Sequence, residues 1–204
     1  VPRLLMPTQI FGKPFVVSEY NFCAPNRYRA ESGPLMGAYA ALQDYDVIQR
    51  FAYAHWDNTV HKPSAFGRFD IVTDPISLFA DRISVLLFRD GNLQPGKIKL
   101  PLIYNDQVLN NRNALVWRRG DAPDNFAELG LVTQIGTVVA DGREASPKFP
   151  YGVTLGTLPE ANKIAEQIFP SGSKLLDNLI RAGVIAPDAI DSKKKTFRSD
   201  TSQI

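Results

Sequence analysis

Residues 13 to 91 carry an alternation that few folds accommodate. Lys13-Pro14-Phe15-Val16-Val17-Ser18 is a short, almost wholly apolar run between polar residues. Such a run reads as a strand buried on both faces, as in a parallel sheet. It ends in Glu19-Tyr20-Asn21, and a Pro/Asn/Arg loop from Ala24 to Tyr28 follows. A helix is predicted next. Glu31, Ser32 and Pro34 mark its start, with Ser32 a cap candidate and Pro34 suited to the first turn. Leu35, Met36, Tyr39, Ala40, Leu42 and Gln43 recur at helical spacing, and the helix is expected to end near Asp44-Tyr45-Asp46. A second apolar run, Val47 to Ala54, reads as the next strand and ends in His55-Trp56-Asp57-Asn58. After a loop from Thr59 to Thr73, Asp74 caps another helix with Pro75 in its first position. Ile76, Phe79, Ala80, Ile83, Leu86 and Leu87 are its expected apolar face, and Gly91 sits just past its end. The order strand, helix, strand, helix implies two βα units in a parallel sheet with right-handed crossovers.

Beyond Gly96 the pattern changes. Lys99 to Tyr104 and Ala114 to Arg118 are strand candidates. Phe126 to Val139 fits a helix slightly better than a strand, with Asp124 or Asn125 as cap. Residues 140 to 158 are loop-rich. Glu160 to Phe169 and Lys174 to Ala182 read as short helices, the second closed by Gly183, with Leu175, Leu176, Leu179 and Ile180 as its buried face. No internal repeat or low-complexity tract is present. The expected division is residues 1–96 and a smaller accessory region, α/β or sandwich-like, over 97–204.

Composition narrows the functional classes. The chain has 204 residues, 44% hydrophobic and 22% charged, which is ordinary for a globular protein with a sizeable core. A net charge of +2 gives no general case for nucleic acid or an anionic membrane as partner. The basic run Lys193-Lys194-Lys195, with Arg198 close by, is read as solvated surface. Cys23 is the one cysteine, so no intrachain disulfide forms and no cysteine metal site is possible. No apolar run approaches the roughly 20 residues needed to cross a bilayer. No membrane, nucleic-acid or cofactor partner is therefore expected. Both ends read as cut rather than finished.

In a parallel βα array, ligands bind at the C-terminal ends of the strands. Two such ends are legible. One presents Glu19, Tyr20 and Asn21; the other presents His55, Trp56, Asp57 and Asn58. Neighbouring strands would set a carboxylate beside an indole, with amides and hydroxyls around them. That combination suits a sugar. The C–H face of a pyranose stacks on an aromatic ring, its hydroxyls pair with amides, and a fixed carboxylate can attack the anomeric carbon.

Lys13-Pro14-Phe15-Val16-Val17-Ser18-Glu19-Tyr20-Asn21 resembles the seventh-strand motif of the retaining β-glycosidases of clan A, which are (β/α)8 barrels. Pro25 to Glu31, followed by Ala38 to Asp46, resembles helix seven of bacterial members. Phe51-Ala52-Tyr53-Ala54-His55-Trp56 resembles strand eight, and Asp74 to Gly91 helix eight. The likeness covers about the first 91 residues. It implies that the fold is α/β, the last two βα units of a TIM-type barrel. It implies Glu19 as catalytic nucleophile, with Tyr20, Asn21, His55 and Trp56 binding the carbohydrate substrate, Trp56 stacking under the sugar. The family's general acid/base is a Glu in an Asn-Glu pair on strand four, and no Asn-Glu dipeptide occurs here. A retaining mechanism needs two carboxylates about 5 to 5.5 Å apart. The resemblance therefore implies that the N-terminal barrel strands, and the acid with them, are missing, and that the chain alone is inactive.

Competing readings exist for each residue. A Glu after an apolar strand is commonly a cap or surface residue, and a Trp is commonly core. His55 suits orienting a neighbour as well as touching substrate. His61 is read as a loop residue, Cys23 as packing. Asp44, Asp46 and Glu31 are read as surface charges; Tyr28 and Arg29 are weaker cleft candidates. At the level of the protein, one alternative is a non-catalytic carbohydrate-binding or scaffold segment. Another is a different βα enzyme in which Glu19 abstracts a proton, but no phosphate-binding glycine loop or metal-ligand cluster supports it.

Overall fold

The structure is a computed structural model that describes residues 2–61, 67–104, 124–139, 153–155 and 174–204. It divides into two compact units, one of residues 14–94 and one that joins residues 1–13 to residues 95–204. The division expected near residue 96 thus falls at 94/95, and the first 13 residues belong with the second half of the chain.

In the unit of residues 14–94, strand β1 (Val16–Tyr20) pairs in parallel with β2 (Val47–Arg50). Val16 faces Val47, Val17 faces Ile48 and Tyr20 faces Arg50. Two β1 residues, Ser18 and Glu19, therefore oppose Gln49 alone. This is a bulge, which bends the strand and re-aims its side chains. Both runs fall short of their expected burial. In β1 only Val17 and Tyr20 are buried, so one face is open rather than both covered. β2 stops at Arg50 instead of Ala54. From there the backbone turns to a later segment: Ala52 N–H donates to the Phe69 carbonyl and Ile71 N–H to the Ala52 carbonyl, both at 3.1 Å.

Helix α1 is the short turn Pro2–Leu5 of the other unit, and α2 (Ser32–Leu42) follows β1. Ser32 is its first residue and not its cap; its hydroxyl instead accepts from Arg50 Nη1 at 2.7 Å. Asp44, at φ 59°, turns the chain out of the helix toward β2. Phe15 then packs on Tyr45 at 4.6 Å between ring centres, and Asp46 Oδ2 accepts from Phe15 N–H at 2.8 Å. After the short helix α3 (Asp57–His61), which takes in His61, comes α4 (Pro75–Ser84), extended by a π turn over Val85–Arg89. Asp74 caps α4 as expected, accepting from Ile76 N–H at 3.2 Å. Its buried face is not the expected one. Ser77, Ala80 and Ser84 are buried, whereas Phe79 is 74% exposed and Ile76, Ile83 and Leu86 are open too. Small residues face inward because α2 presents Gly33 and Gly37 to Ala80 and Ser84, so the two backbones come close.

The other unit holds a parallel sheet in the order β4-β3-β5, with β3 (Lys99–Tyr104) central, β4 (Gln134–Val139) and β5 (Val153–Leu155). Ile10 adds a parallel bridge to Thr137 on the outer side of β4. Helix α5 (Asp124–Leu129) precedes β4, so the stretch from Phe126 to Val139 is helix then strand, not one helix. Gly130 packs against Met6 and Ile135, and the β-branched residues Ile135, Thr137, Val138 and Val139 favour the strand. Leu100, Leu102, Phe126, Val132 and Ile135 are buried at the centre of this unit. Helix α6 (Lys174–Arg181) ends as expected at Gly183, whose φ is 71°. The hairpin β6 (Ile190–Asp191) and β7 (Thr196–Phe197) exposes Lys193, Lys194 and Lys195 at its turn. Asp200 fastens the C-terminal segment, its Oδ2 accepting from Lys97 N–H at 2.8 Å and Ile98 N–H at 3.1 Å. The expected strand Ala114 to Arg118 and helix Glu160 to Phe169 lie outside the described residues. Among the described residues the strands form no closed barrel.

Candidate functional site

The C-terminal ends of β1 and β2 lie side by side, and the five site residues expected there take different positions. Glu19 sits in the β1 bulge with its side chain exposed. Its carboxylate has no hydrogen-bond or ion-pair partner among the described residues.

Tyr20 lies on the other side of the sheet. It is buried and lines a cavity of about 310 Å³ with Arg50, Asp81, Ser84 and Phe88. Burial raises its phenol pKa, the nearby Asp81 charge adds to this, and Ser84 and Arg50 oppose it. Tyr20 also has contacts within the protein. The Arg50 guanidinium stacks 5.5 Å from the Tyr20 ring centre and donates from Nη1 to Asp81 Oδ1 at 3.1 Å. Burial holds the Asp81 carboxyl above its ordinary range, against the pull of Arg50. This ion pair ties the end of β2 to α4, and the Ser32 bond ties it to α2.

Asn21 is also largely committed to the scaffold. Its amide Nδ2 donates to the Phe51 carbonyl at 2.5 Å and to the Phe69 carbonyl at 2.9 Å. An amide has two N–H donors, and both are used to clamp the end of β1 to the segments after β2. Phe51 N–H completes the clamp with the Tyr20 carbonyl at 3.0 Å.

His55 stands on this clamp. Its ring Nδ1 contacts Asp70 Oδ1, and its backbone N–H donates to the same oxygen at 3.1 Å. Phe51 meets the imidazole edge-on at 5.1 Å, Phe69 meets Phe51 at 5.8 Å, and Phe69 lies 6.2 Å from His55. Trp56, next in sequence, has 73% of its surface open and precedes α3. β1 thus carries an exposed carboxylate in its bulge, and the segment after β2 an exposed indole and a histidine seated among aromatic rings.

Asp70 and Phe69 were not legible in sequence. They lie in an irregular loop with no periodicity, and the one available signal was that His55 would need a carboxylate to orient it. Arg29 was a weak cleft candidate; it is instead held by Asp74 at 2.6 Å. Burial pushes the Asp74 carboxyl upward, but the Ser77 hydroxyl, the Arg29 guanidinium and the Ile76 N–H outweigh it and hold it below the usual range. Tyr28 is exposed, with Arg27 over its ring at 4.6 Å. Cys23 is half-buried in the same loop, whose Ala24 N–H donates to the Arg68 carbonyl at 3.1 Å.

Compared with known proteins, the chain matches no family model, no curated protein and no solved structure.

Proposed function

We propose that this chain supplies the nucleophile half of a retaining β-glycosidase site, in a parent protein whose barrel it completes. On this reading β1 and β2 are the last two strands of a (β/α)8 barrel. Glu19 attacks the anomeric carbon, Trp56 stacks on the sugar, and the general acid comes from sequence outside these residues. The observation that supports the reading is the parallel pairing of β1 with β2: Glu19 lies near the C-terminal end of one strand, and the segment that leads to His55 and Trp56 leaves the C-terminal end of the other. Active sites of parallel barrels are built at that end. The open face of β1 and the unpaired Glu19 carboxylate agree with a site that lacks its other half.

Glu19→Gln in the parent protein tests this, because an amide is a poor nucleophile and the covalent step is lost. Turnover of aryl β-glycosides is expected to fall by several orders of magnitude with the fold retained. The isolated chain is expected to be inactive on the same substrates, since nothing protonates the leaving oxygen. Robust turnover by the isolated chain that survives Glu19→Gln removes the assignment.

The exposed aromatic surface of Trp56, with Tyr53 nearby in sequence, favours one second reading, a carbohydrate-binding segment without catalysis. Sugar binding that depends on Trp56 but not on Glu19, with no turnover by the parent protein, would select it.

A further inference from the structure

The imidazole of His55 has two nitrogens with different surroundings. Nδ1 faces Asp70, whose carboxylate is 8% exposed and also accepts the His55 backbone N–H. A carboxylate that is ionised only accepts, so the ring nitrogen facing it must carry the proton. The other nitrogen, Nε2, has no hydrogen-bond partner among the described residues, and 36% of the side chain is open. The Phe51 and Phe69 rings neighbour the imidazole, and Asn21 donates to both of their carbonyls. A free histidine in water favours the opposite tautomer, with the proton on Nε2. The surroundings of His55 are therefore built to invert the ordinary preference.

The geometry points to Asp70 as a positioning residue: it fixes His55 as the Nδ1–H tautomer, so that Nε2 is left as a hydrogen-bond acceptor for a hydroxyl of the bound ligand. A hydroxyl donor suits this lone pair; an acceptor would need the proton on Nε2 instead, and among the described residues no cluster of further metal-binding side chains is present to hold a cation there. The ligand half of this inference rests on the proposed sugar site; the tautomer half stands without it. Such outer partners set both the tautomer and the orientation of a functional histidine.

The test is nitrogen-15 NMR of the full chain labelled at histidine, with long-range proton–nitrogen correlations that separate the two tautomers. There are two histidines, His55 and His61, so His61 in α3 serves as internal reference. At about pH 9, well above the ordinary histidine pKa of about 6.5, His55 is expected to show the Nδ1–H pattern and His61 mainly the Nε2–H pattern. Asp70→Ala is expected to move His55 to the His61 pattern. Asp70→Asn keeps an acceptor oxygen and is expected to keep the wild-type pattern. An Nε2–H tautomer for His55 in the unsubstituted chain overturns the inference with no variant needed, which covers the case in which Asp70→Ala fails to fold. Titration with cellobiose, xylobiose and lactose then reads the ligand half. A shift of the His55 Nε2 resonance, with Nδ1 steady, supports it. An Nε2 resonance that ignores all three sugars while Glu19→Gln abolishes turnover in the parent protein refutes the ligand role of His55 and leaves the nucleophile standing.

Discussion

Replacing Gly33 by alanine is expected to destabilise the unit of residues 14–94, reversing the usual effect of that substitution. In an exposed helix interior, Gly→Ala stabilises by about 1 kcal/mol, because it removes backbone freedom from the unfolded chain. Gly33 lies at the crossing of α2 and α4, and a Cβ placed there would lie 1.6 Å from the Ala80 carbonyl oxygen and 2.2 Å from the carbonyl carbon. Carbon in van der Waals contact needs about 3.5 Å, so the helices would have to part by roughly 2 Å. A gap of about 1 Å already forfeits up to half of a contact's attraction. The seam held by Gly33, Gly37, Ala80 and Ser84 would therefore open along its length. Overpacking of this kind costs about 1–3 kcal/mol where side chains can yield. Here the obstacle is backbone, so about 3–4 kcal/mol is expected before the propensity gain and about 2–3 kcal/mol net. Urea unfolding followed by circular dichroism, with hydrogen exchange of the α2 and α4 amides, would measure it. Adding Ala80→Gly should not rescue the variant, since the clash is with the Ala80 carbonyl group and not its methyl. A Gly33→Ala chain as stable as the parent, or one rescued by Ala80→Gly, would refute the close crossing.

Other substitutions probe different parts of the same unit. Asp74→Ala removes the α4 cap and leaves Arg29 without its carboxylate; about 2–4 kcal/mol of lost stability is expected in thermal or urea unfolding. Because the folded-state pKa of Asp74 is lowered, its contribution is present above the unfolded-state pKa and fades as pH falls through the folded one. Asp74→Asn should therefore flatten the acid limb of the stability curve, and an unchanged limb would mean that Asp74 is not held ionised by these partners. Trp56→Ala is expected to leave the unfolding midpoint within about 0.5 kcal/mol of the parent, since the ring is mostly open. A larger loss would show that the indole packs against the protein.

The elements most legible in sequence were those with chemistry at their ends. The Asp74-Pro75 pair fixed the start of α4, Gly183 the end of α6, and the two apolar runs the strands that pair in parallel. Burial was less legible, for two reasons. The periodicity of α4 pointed to Ile76, Phe79, Ile83 and Leu86, yet the helix buries Ser77, Ala80 and Ser84, because close packing on glycine rewards small side chains over apolar ones. Phe51 to Ala54 look like strand, but Asn21 and the Phe69 carbonyl capture that backbone in contacts distant in sequence. At the proposed site, Glu19, His55 and Trp56 were named as the residues that close two apolar runs, yet Glu19 lies within β1 and His55 and Trp56 lie beyond the end of β2. The burial of Tyr20 could not, since the bulge at Ser18-Glu19 shifts the alternation of sides by one residue. Asp70 could not either, because nothing in its own neighbourhood signals a partner.

The bridge between Ile10 and Thr137 has a consequence for how the protein is made. Thr137 also donates from its hydroxyl to the Pro7 carbonyl, across a separation of 130 residues. A ribosome adding about 5–20 residues per second takes on the order of 6–26 s to cover that distance. Throughout that interval the segment around Ile10, which is 45% exposed even in the finished structure, lacks its partner β4. Residues 14–94, a compact unit of their own, emerge in the meantime, leaving the segment around Ile10 as a waiting edge, open to chaperones or to the same segment on a neighbouring nascent chain. Slower translation before Thr137 should therefore lower the yield of correctly assembled protein.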